Sequence, residues 1–214
     1  MTPKELFAKA RLVFWDFDGV IKDSLEVKGT AFARLFNSAS PELVLRILAH
    51  HAANGGMSRY EKIPLYMQWS GEVPTETKVL QLCKKMESLV TEAVVSSPWV
   101  PGVEVLLRNN PYGQMFVVVS ATPLSELTFI LKRLNLAKCF LAIYGAPASK
   151  ADVIAIIMQD QHLAREDCLM IGDAQTDLDA ARVNDVPFLL RRHDGNAEVM
   201  RDVEGLSIND FEHL

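Results

Sequence analysis

Residues 11–24 read RLVFWDFDGVIKDS. The run from Arg11 to Asp16 is short, almost wholly apolar and ends abruptly in carboxylates, the pattern of a strand buried on both faces. The design returns as QMFVVVS at Gln114–Ser120 and as CLMIGD at Cys168–Asp173. Helix signals lie between and after these runs. Thr122 is placed as a helix cap with Pro123 in the first turn, Ser149 precedes an apolar-periodic stretch to Gln159, and Gln175–Val183 has helical character. Strand thus alternates with helix from residue 99 onward. Right-handed crossovers between such strands give an α/β fold, a Rossmann-like doubly wound parallel sheet that binds ligands at the carboxyl ends of its strands. Those ends are Asp16, Ser120 and Asp173.

Residues 22–97 break the alternation. They offer no convincing strand, and Val79, Leu82, Cys83, Met86, Leu89, Val90 and Ala93 recur at helical spacing. The expected division is a core of residues 1–21 and 98–214 with an all-helical insertion at 22–97, closed by Pro98 and Pro101 and turned at Gly55-Gly56. The insertion holds nine Lys or Arg against eight Asp or Glu, so the net charge of -5 over 214 residues is concentrated in the core. That balance lacks the basic excess of nucleic-acid binding, and a hydrophobic content of 49% excludes disorder. No apolar run approaches a membrane span, and Met1–Arg11 is a charged amphipathic stretch rather than a signal peptide, so a cytoplasmic protein is expected. Cys83, Cys139 and Cys168 lack metal-ligand spacing and read as reduced core thiols. Trp15 reads as packing, and His50 and His51 as surface or core residues of a helix in the insertion.

Two acidic clusters stand at strand ends. In Asp16-Phe17-Asp18-Gly19 the carboxylates are one residue apart; this is either a polar strand end with a glycine turn or a pair that divides nucleophilic and acid/base duties. A carboxylate is ionised at neutral pH and suits acyl-phosphate formation without a base. Asp173 and Asp177 either cap a helix or place oxygens around a hard cation such as Mg²⁺. Ser120 and Ala121 precede a helix start, where hydroxyl and backbone N–H groups converge on an anion, unless they merely belong to a cap. Lys150, at another helix start, is either solvated or aimed at the same anion.

Taken in order, DFDGVIKDS at 16–24, VVVSAT at 117–122, the lysine of APASK at 146–150 and IGDAQTDLDAA at 171–181 resemble the four motifs of the haloacid dehalogenase superfamily of aspartate-nucleophile phosphotransferases. The resemblance spans nearly the whole chain. It implies Asp16 as nucleophile, Asp18 as general acid/base, Ser120 and the Ala121 amide as phosphoryl binders, and Lys150 as the stabiliser of both nucleophile and phosphate. It implies Mg²⁺ held by the Asp16 carboxylate, the Asp18 carbonyl and Asp173, supported by Asp177, and it makes the insertion a small mobile cap. Members that remove halide lack the second aspartate, so Asp18 argues against that reaction.

NGGMSRYEK at 54–62 is similar to the cap loop of β-phosphoglucomutase relatives, which implies that Arg59, with Lys62 nearby, binds an anionic part of the substrate; Arg59 also fits as an ordinary helix-start residue. Those mutases carry a histidine twelve residues after the nucleophile, where this chain has Lys28. The leading expectation is a Mg²⁺-dependent phosphatase of a small phosphorylated metabolite, such as a sugar phosphate or related organic acid. A phosphomutase is the alternative, and a phospho-accepting signalling module a third. The latter needs about half this length and gives Asp18 no task.

Overall fold

The computed structural model describes residues 1–197, 200–201 and 203–214. Helix α1 (Pro3–Lys9) starts where Thr2 and Glu5 cap one another, and leads into strand β1 (Leu12–Trp15). Four helices follow: α2 (Leu25–Leu35), α3 (Pro41–Ala53), α4 (Arg59–Trp69) and α5 (Glu76–Ser96). Then come α6 (Val103–Asn109), β2 (Met115–Pro123), α7 (Leu124–Arg133), β3 (Ala142–Ala146) and α8 (Lys150–Asp160). The chain ends with β4 (Cys168–Gly172), α9 (Gln175–Val183), β5 (Phe188–Arg191) and β6 (Leu206–Ile208).

The six strands form one parallel sheet in the order β3-β2-β1-β4-β5-β6. This is the doubly wound α/β arrangement expected from the apolar runs. Its switch point lies beside β1, where the chain stops adding strands on one side and starts on the other. Trp15 pairs with Val118 on one side and Ile171 on the other. The residues just beyond that level, Asp16, Ser120 and Asp173, therefore emerge together at the carboxyl edge.

Alternate β1 side chains serve opposite layers, as the pleat requires. Val13 and Trp15 join Phe7, Phe116 and Phe211, while Leu12 and Phe14 join Val153, Ile154, Met170 and Ala181. Burying each such large apolar side chain contributes on the order of 1.5–3 kcal/mol of transfer free energy.

The helical segment leaves and rejoins the core at one place. Asp23 N–H donates to the Pro98 carbonyl at 2.9 Å, Val100 N–H donates to that of Ile21 at 3.2 Å, and Lys22 bridges Trp99. Helices α2 to α5 thus hang from two adjacent strands of backbone, packed around Phe32, Ile47, Ile63, Tyr66, Met86 and Val90. Among the described residues no helix is long and apolar enough to cross a membrane.

One local expectation is corrected. Thr122 does not cap α7: it lies within β2, and Pro123 occupies the cap position without a side-chain hydrogen bond. The Thr122 hydroxyl is engaged by Asp18 and Lys28 instead, which removes it from competition for the helix N–H groups.

Candidate active site

Three carboxylates and one ammonium meet at the sheet edge. One oxygen each of Asp16, Asp173 and Asp177 lie within 4.8 Å of one another, all in buried residues. Lys150, the first residue of α8, donates to Asp16 Oδ1 at 2.7 Å and to Asp177 Oδ1 at 2.5 Å. Ser149 Oγ caps α8 by accepting from Asp152 N–H, which fixes the first turn and the lysine it presents. Asp177 also closes the start of α9, its Oδ2 accepting from the N–H groups of Asp173 and Ala174 at 3.2 and 3.0 Å. Capping and membership of the acidic cluster are therefore not alternatives at Asp177, whose Oδ2 caps α9 while Oδ1 accepts from Lys150. The close approach depends on glycine: a β-carbon at Gly172 would overlap Asp177, and one at Gly19 would overlap the Asp173 carboxylate.

The charges in this cluster do not balance. Burial, and repulsion from Asp177 and Asp18, push Asp16 up to about 7 despite Lys150. Burial and Asp16 raise Asp173 well above the carboxylate range, and burial raises Asp177. Lys150 shifts upward, because Asp16 and Asp177 outweigh the cost of burying its charge. A hard divalent cation is the partner that such a set of oxygen donors lacks, and the residues present fit one.

Asp18 faces another way. Burial works against its charge, but Lys28, Ser24 and Thr122 prevail and hold it below its ordinary value. Lys28 Nζ donates to Asp18 Oδ2 and, at 2.7 Å, to Thr122 Oγ1; Ser24 Oγ donates to Asp18 Oδ1 at 2.6 Å. Thr122 Oγ1 in turn donates to Asp18 Oδ2 at 2.8 Å. The two carboxylates of the Asp16-Phe17-Asp18 segment therefore live in different environments, which is how one fold separates two acid/base roles.

Ser120 is buried beside them, its Oγ accepting from Thr122 N–H at 3.1 Å. Ser120, Ala121 and Lys150 line an open cleft of about 560 Å³ with Ser58, Tyr60 and Thr176. Gly56 of the α3–α4 turn packs against Thr176, where a β-carbon would collide with the threonine hydroxyl. On the far side of Ala121 a small cavity of about 30 Å³ is lined by Asp18, Lys28, His51, Arg59 and Lys62. A larger depression of about 810 Å³ lies among α2, α3 and α5 on the outside of the helical segment, away from all the carboxylates named here.

Arg59 and Lys62 both reach this small cavity, but differently. Arg59 is paired with Glu126 of α7, whereas Lys62 Nζ stands 2.9 Å from His51 Nδ1. Sequence reasoning passed over Lys28 as a ligand of Asp18, and over Glu126. It also missed His193, whose Nε2 is 2.9 Å from Asp173 Oδ2, and Asn196, which donates to the Asp173 carbonyl at 2.8 Å. His50 is half-buried against Tyr66 and Trp69, His51 is buried, and Trp15 is wholly buried as packing predicts. Cys83 and Cys168 are buried and Cys139 half-buried, all as free thiols.

The family model described as haloacid dehalogenase-like hydrolase matches residues 13–190. The fold is similar to that of a predicted phosphoglycolate phosphatase from Haemophilus somnus, at 17% identity and TM-score 0.75, covering 95% of this chain and 96% of that one. It is also similar to CbbY from Rhodobacter sphaeroides in complex with xylulose-(1,5)bisphosphate, at 13% identity and TM-score 0.77, covering 96% of each chain. A third similar structure is β-phosphoglucomutase from Clostridium difficile, at 16% identity and TM-score 0.74, covering 96% and 93%. No curated protein sequence matches the chain. With the family model spanning most of its length, over the strands and helix that bring Asp16, Ser120, Asp173 and Lys150 to one edge, the chain belongs to the haloacid dehalogenase-like hydrolases.

Proposed function

We propose that this protein is a Mg²⁺-dependent phosphatase of a small phosphorylated metabolite in the cytoplasm, with Asp16 as nucleophile and residues 22–97 as its cap. The observation that carries this reading is the cluster of Asp16, Asp173 and Asp177 around the single ammonium of Lys150, beside a separately held Asp18. Asp16, Asp173 and Asp177, with the Asp18 carbonyl, would hold Mg²⁺, which when bound neutralises phosphate oxygens and the crowded carboxylates.

The phosphoryl group is seated by Ser120, the Ala121 amide and Lys150. An Asp16 oxygen attacks phosphorus, the bond to the leaving oxygen breaks, and Asp18 delivers the proton that oxygen needs. Lys28 keeps the resting Asp18 in its base form, so this proton enters with the substrate, as a monoester monoanion can supply. In the second half Asp18 takes a proton from water as that water attacks the phosphorus of the aspartyl phosphate, releasing inorganic phosphate and restoring Asp16. Phosphoryl transfer asks mainly for positioning and charge neutralisation, and these residues supply both.

The test is phosphate release from an aryl phosphate and from small phosphorylated metabolites, with Mg²⁺ and with excess chelator. We expect release with Mg²⁺ only. Full activity in chelator would refute the metal requirement, and isomer conversion without release would favour a phosphomutase.

A further inference from the structure

The cavity beside Asp18 is where a leaving group must begin, because the acid has to touch the leaving oxygen. Three cationic side chains line it, and two of them are already answered by carboxylates. Lys28 is held by Asp18. Arg59 is held by Glu126: Nη2 donates to Oε1 at 2.8 Å, Nη1 lies 2.8 Å from Oε2, and the side chains are only 5% and 1% exposed. The remaining contact of Arg59, to the Cys83 carbonyl at 3.4 Å, ties it further to the helical segment. A substrate anion that meets this guanidinium meets a charge already cancelled by Glu126, and displacing Glu126 would strand a buried, unpaired carboxylate.

Lys62 is the exception. Among the described residues it has no carboxylate partner, and its Nζ is met by His51 Nδ1. His51 Nε2 lies 3.2 Å from the Leu25 carbonyl, which can only accept, so the ring proton sits on Nε2 and Nδ1 receives a hydrogen from Lys62. A neutral histidine orients the lysine without cancelling its charge. Burial and Lys28 bring Lys62 down to about 7, the response of a cation that lacks its counter-ion.

We propose that Glu126 sets the charge of the leaving-group pocket: by cancelling Arg59 it leaves Lys62 to recognise a single carboxylate, and it excludes leaving groups that carry a second phosphate. The cavity is small, about 30 Å³, so a leaving group that enters it lies against Lys62 and the Arg59–Glu126 pair. Glu126 is a specificity residue acting through Arg59, and Lys62 is the contact. The inference rests on the phosphatase reading of the site and narrows it to short phosphorylated acids.

The test compares kcat/KM for phosphoglycolate, ethyl phosphate and xylulose 1,5-bisphosphate in wild type, Lys62→Met, Glu126→Gln and the double variant Arg59→Gln/Glu126→Gln. Wild type should prefer phosphoglycolate to ethyl phosphate by about tenfold or more, the worth of a charge-assisted hydrogen bond, and Lys62→Met should erase that preference. Glu126→Gln frees Arg59 and should raise the bisphosphate-to-phosphoglycolate ratio about tenfold or more. The double variant, which loses both charges, should return to the wild-type ratio and covers the case in which the single variant folds poorly. A ratio unchanged by Glu126→Gln, or changed equally in the double variant, overturns the role of Glu126; a preference that survives Lys62→Met overturns that of Lys62. Calorimetric titration of the same three compounds into Asp16→Asn reads the pocket without turnover. Loss of turnover on every substrate with the binding preferences intact would therefore defeat the phosphatase reading alone.

Discussion

The two sides of the Asp16-Phe17-Asp18 segment are charged in opposite senses. On the sheet side, Asp16, Asp173 and Asp177 face one ammonium, Lys150, so negative charge is in excess. On the helical side, Lys28, Arg59 and Lys62 face two carboxylates, Asp18 and Glu126, so positive charge is in excess. Buried imbalance of either sign is costly, and each excess describes the partner that would relieve it: a cation for the first cluster and an anion for the second. One phosphorylated, anionic substrate with Mg²⁺ answers both at once. The contrast also explains how neighbouring carboxylates diverge, with Asp16 raised by its own kind and Asp18 lowered by Lys28.

The hardest blow to this contrast is the removal of one carboxylate from each side. Asp16→Asn should lose on the order of 10⁴- to 10⁶-fold in kcat, the scale seen when a covalent nucleophile is deleted, while keeping its fold by circular dichroism. Asp18→Asn should lose roughly 10²- to 10⁴-fold, the scale of general acid/base catalysis, and less on an aryl phosphate whose leaving group needs little protonation. Similar losses for both residues on every substrate would erase the distinction between the two sides.

A smaller effect sharpens the sheet side. Mg²⁺ at about one hundred times its dissociation constant should stabilise the protein by about 2.7 kcal/mol, read as a rise in Tm. Asp173→Ala should abolish that rise, and Asp177→Ala should weaken it less. A metal-independent Tm in wild type would mean that the acidic cluster is relieved in another way.

A pH-dependent effect on stability concerns Lys62. Its folded-state pKa of about 7 lies below the ordinary 10.5, so between those values the unfolded chain binds a proton that the folded protein does not. The burden this lysine places on stability is therefore full below pH 7 and fades as pH rises toward 10. Lys62→Met should raise Tm relative to wild type at pH 6 and lose much of that advantage by pH 10. A Tm difference independent of pH would show that Lys62 is not buried as a cation.

The core was legible because its signals are local. Apolar runs that lead to Asp16, Ser120 and Asp173 declare the strands, although β2 runs three residues past Ser120 to Pro123, and the helix start at Lys150 follows the ordinary serine cap at Ser149. What stayed hidden was pairing across long stretches of chain. Arg59 and Glu126 are 67 residues apart, and Lys28 and Thr122 are 94 apart. A faint signal was present nonetheless. Lys28 lies on the buried stripe of α2 with Ala31, Phe32 and Leu35; Lys62 lies on that of α4 with Ile63, Tyr66 and Met67; and Glu126 lies on that of α7 with Leu127, Ile130 and Leu131. A charge on the apolar face of an amphipathic helix must find a partner or a ligand. Periodicity can mark such residues, but only the fold says which of them meet.

The central claim, that Asp16 receives the phosphoryl group and Asp18 promotes its release to water, is tested most directly by trapping. Asp18→Asn should still accept a phosphoryl group from an aryl phosphate but discharge it slowly, so mass spectrometry after brief incubation with Mg²⁺ should find the peptide containing Asp16 heavier by one phosphoryl group. The same adduct should be absent from Asp16→Asn. Phosphate release by Asp18→Asn with no labelled peptide at any time, or a label on a residue other than Asp16, would contradict the account.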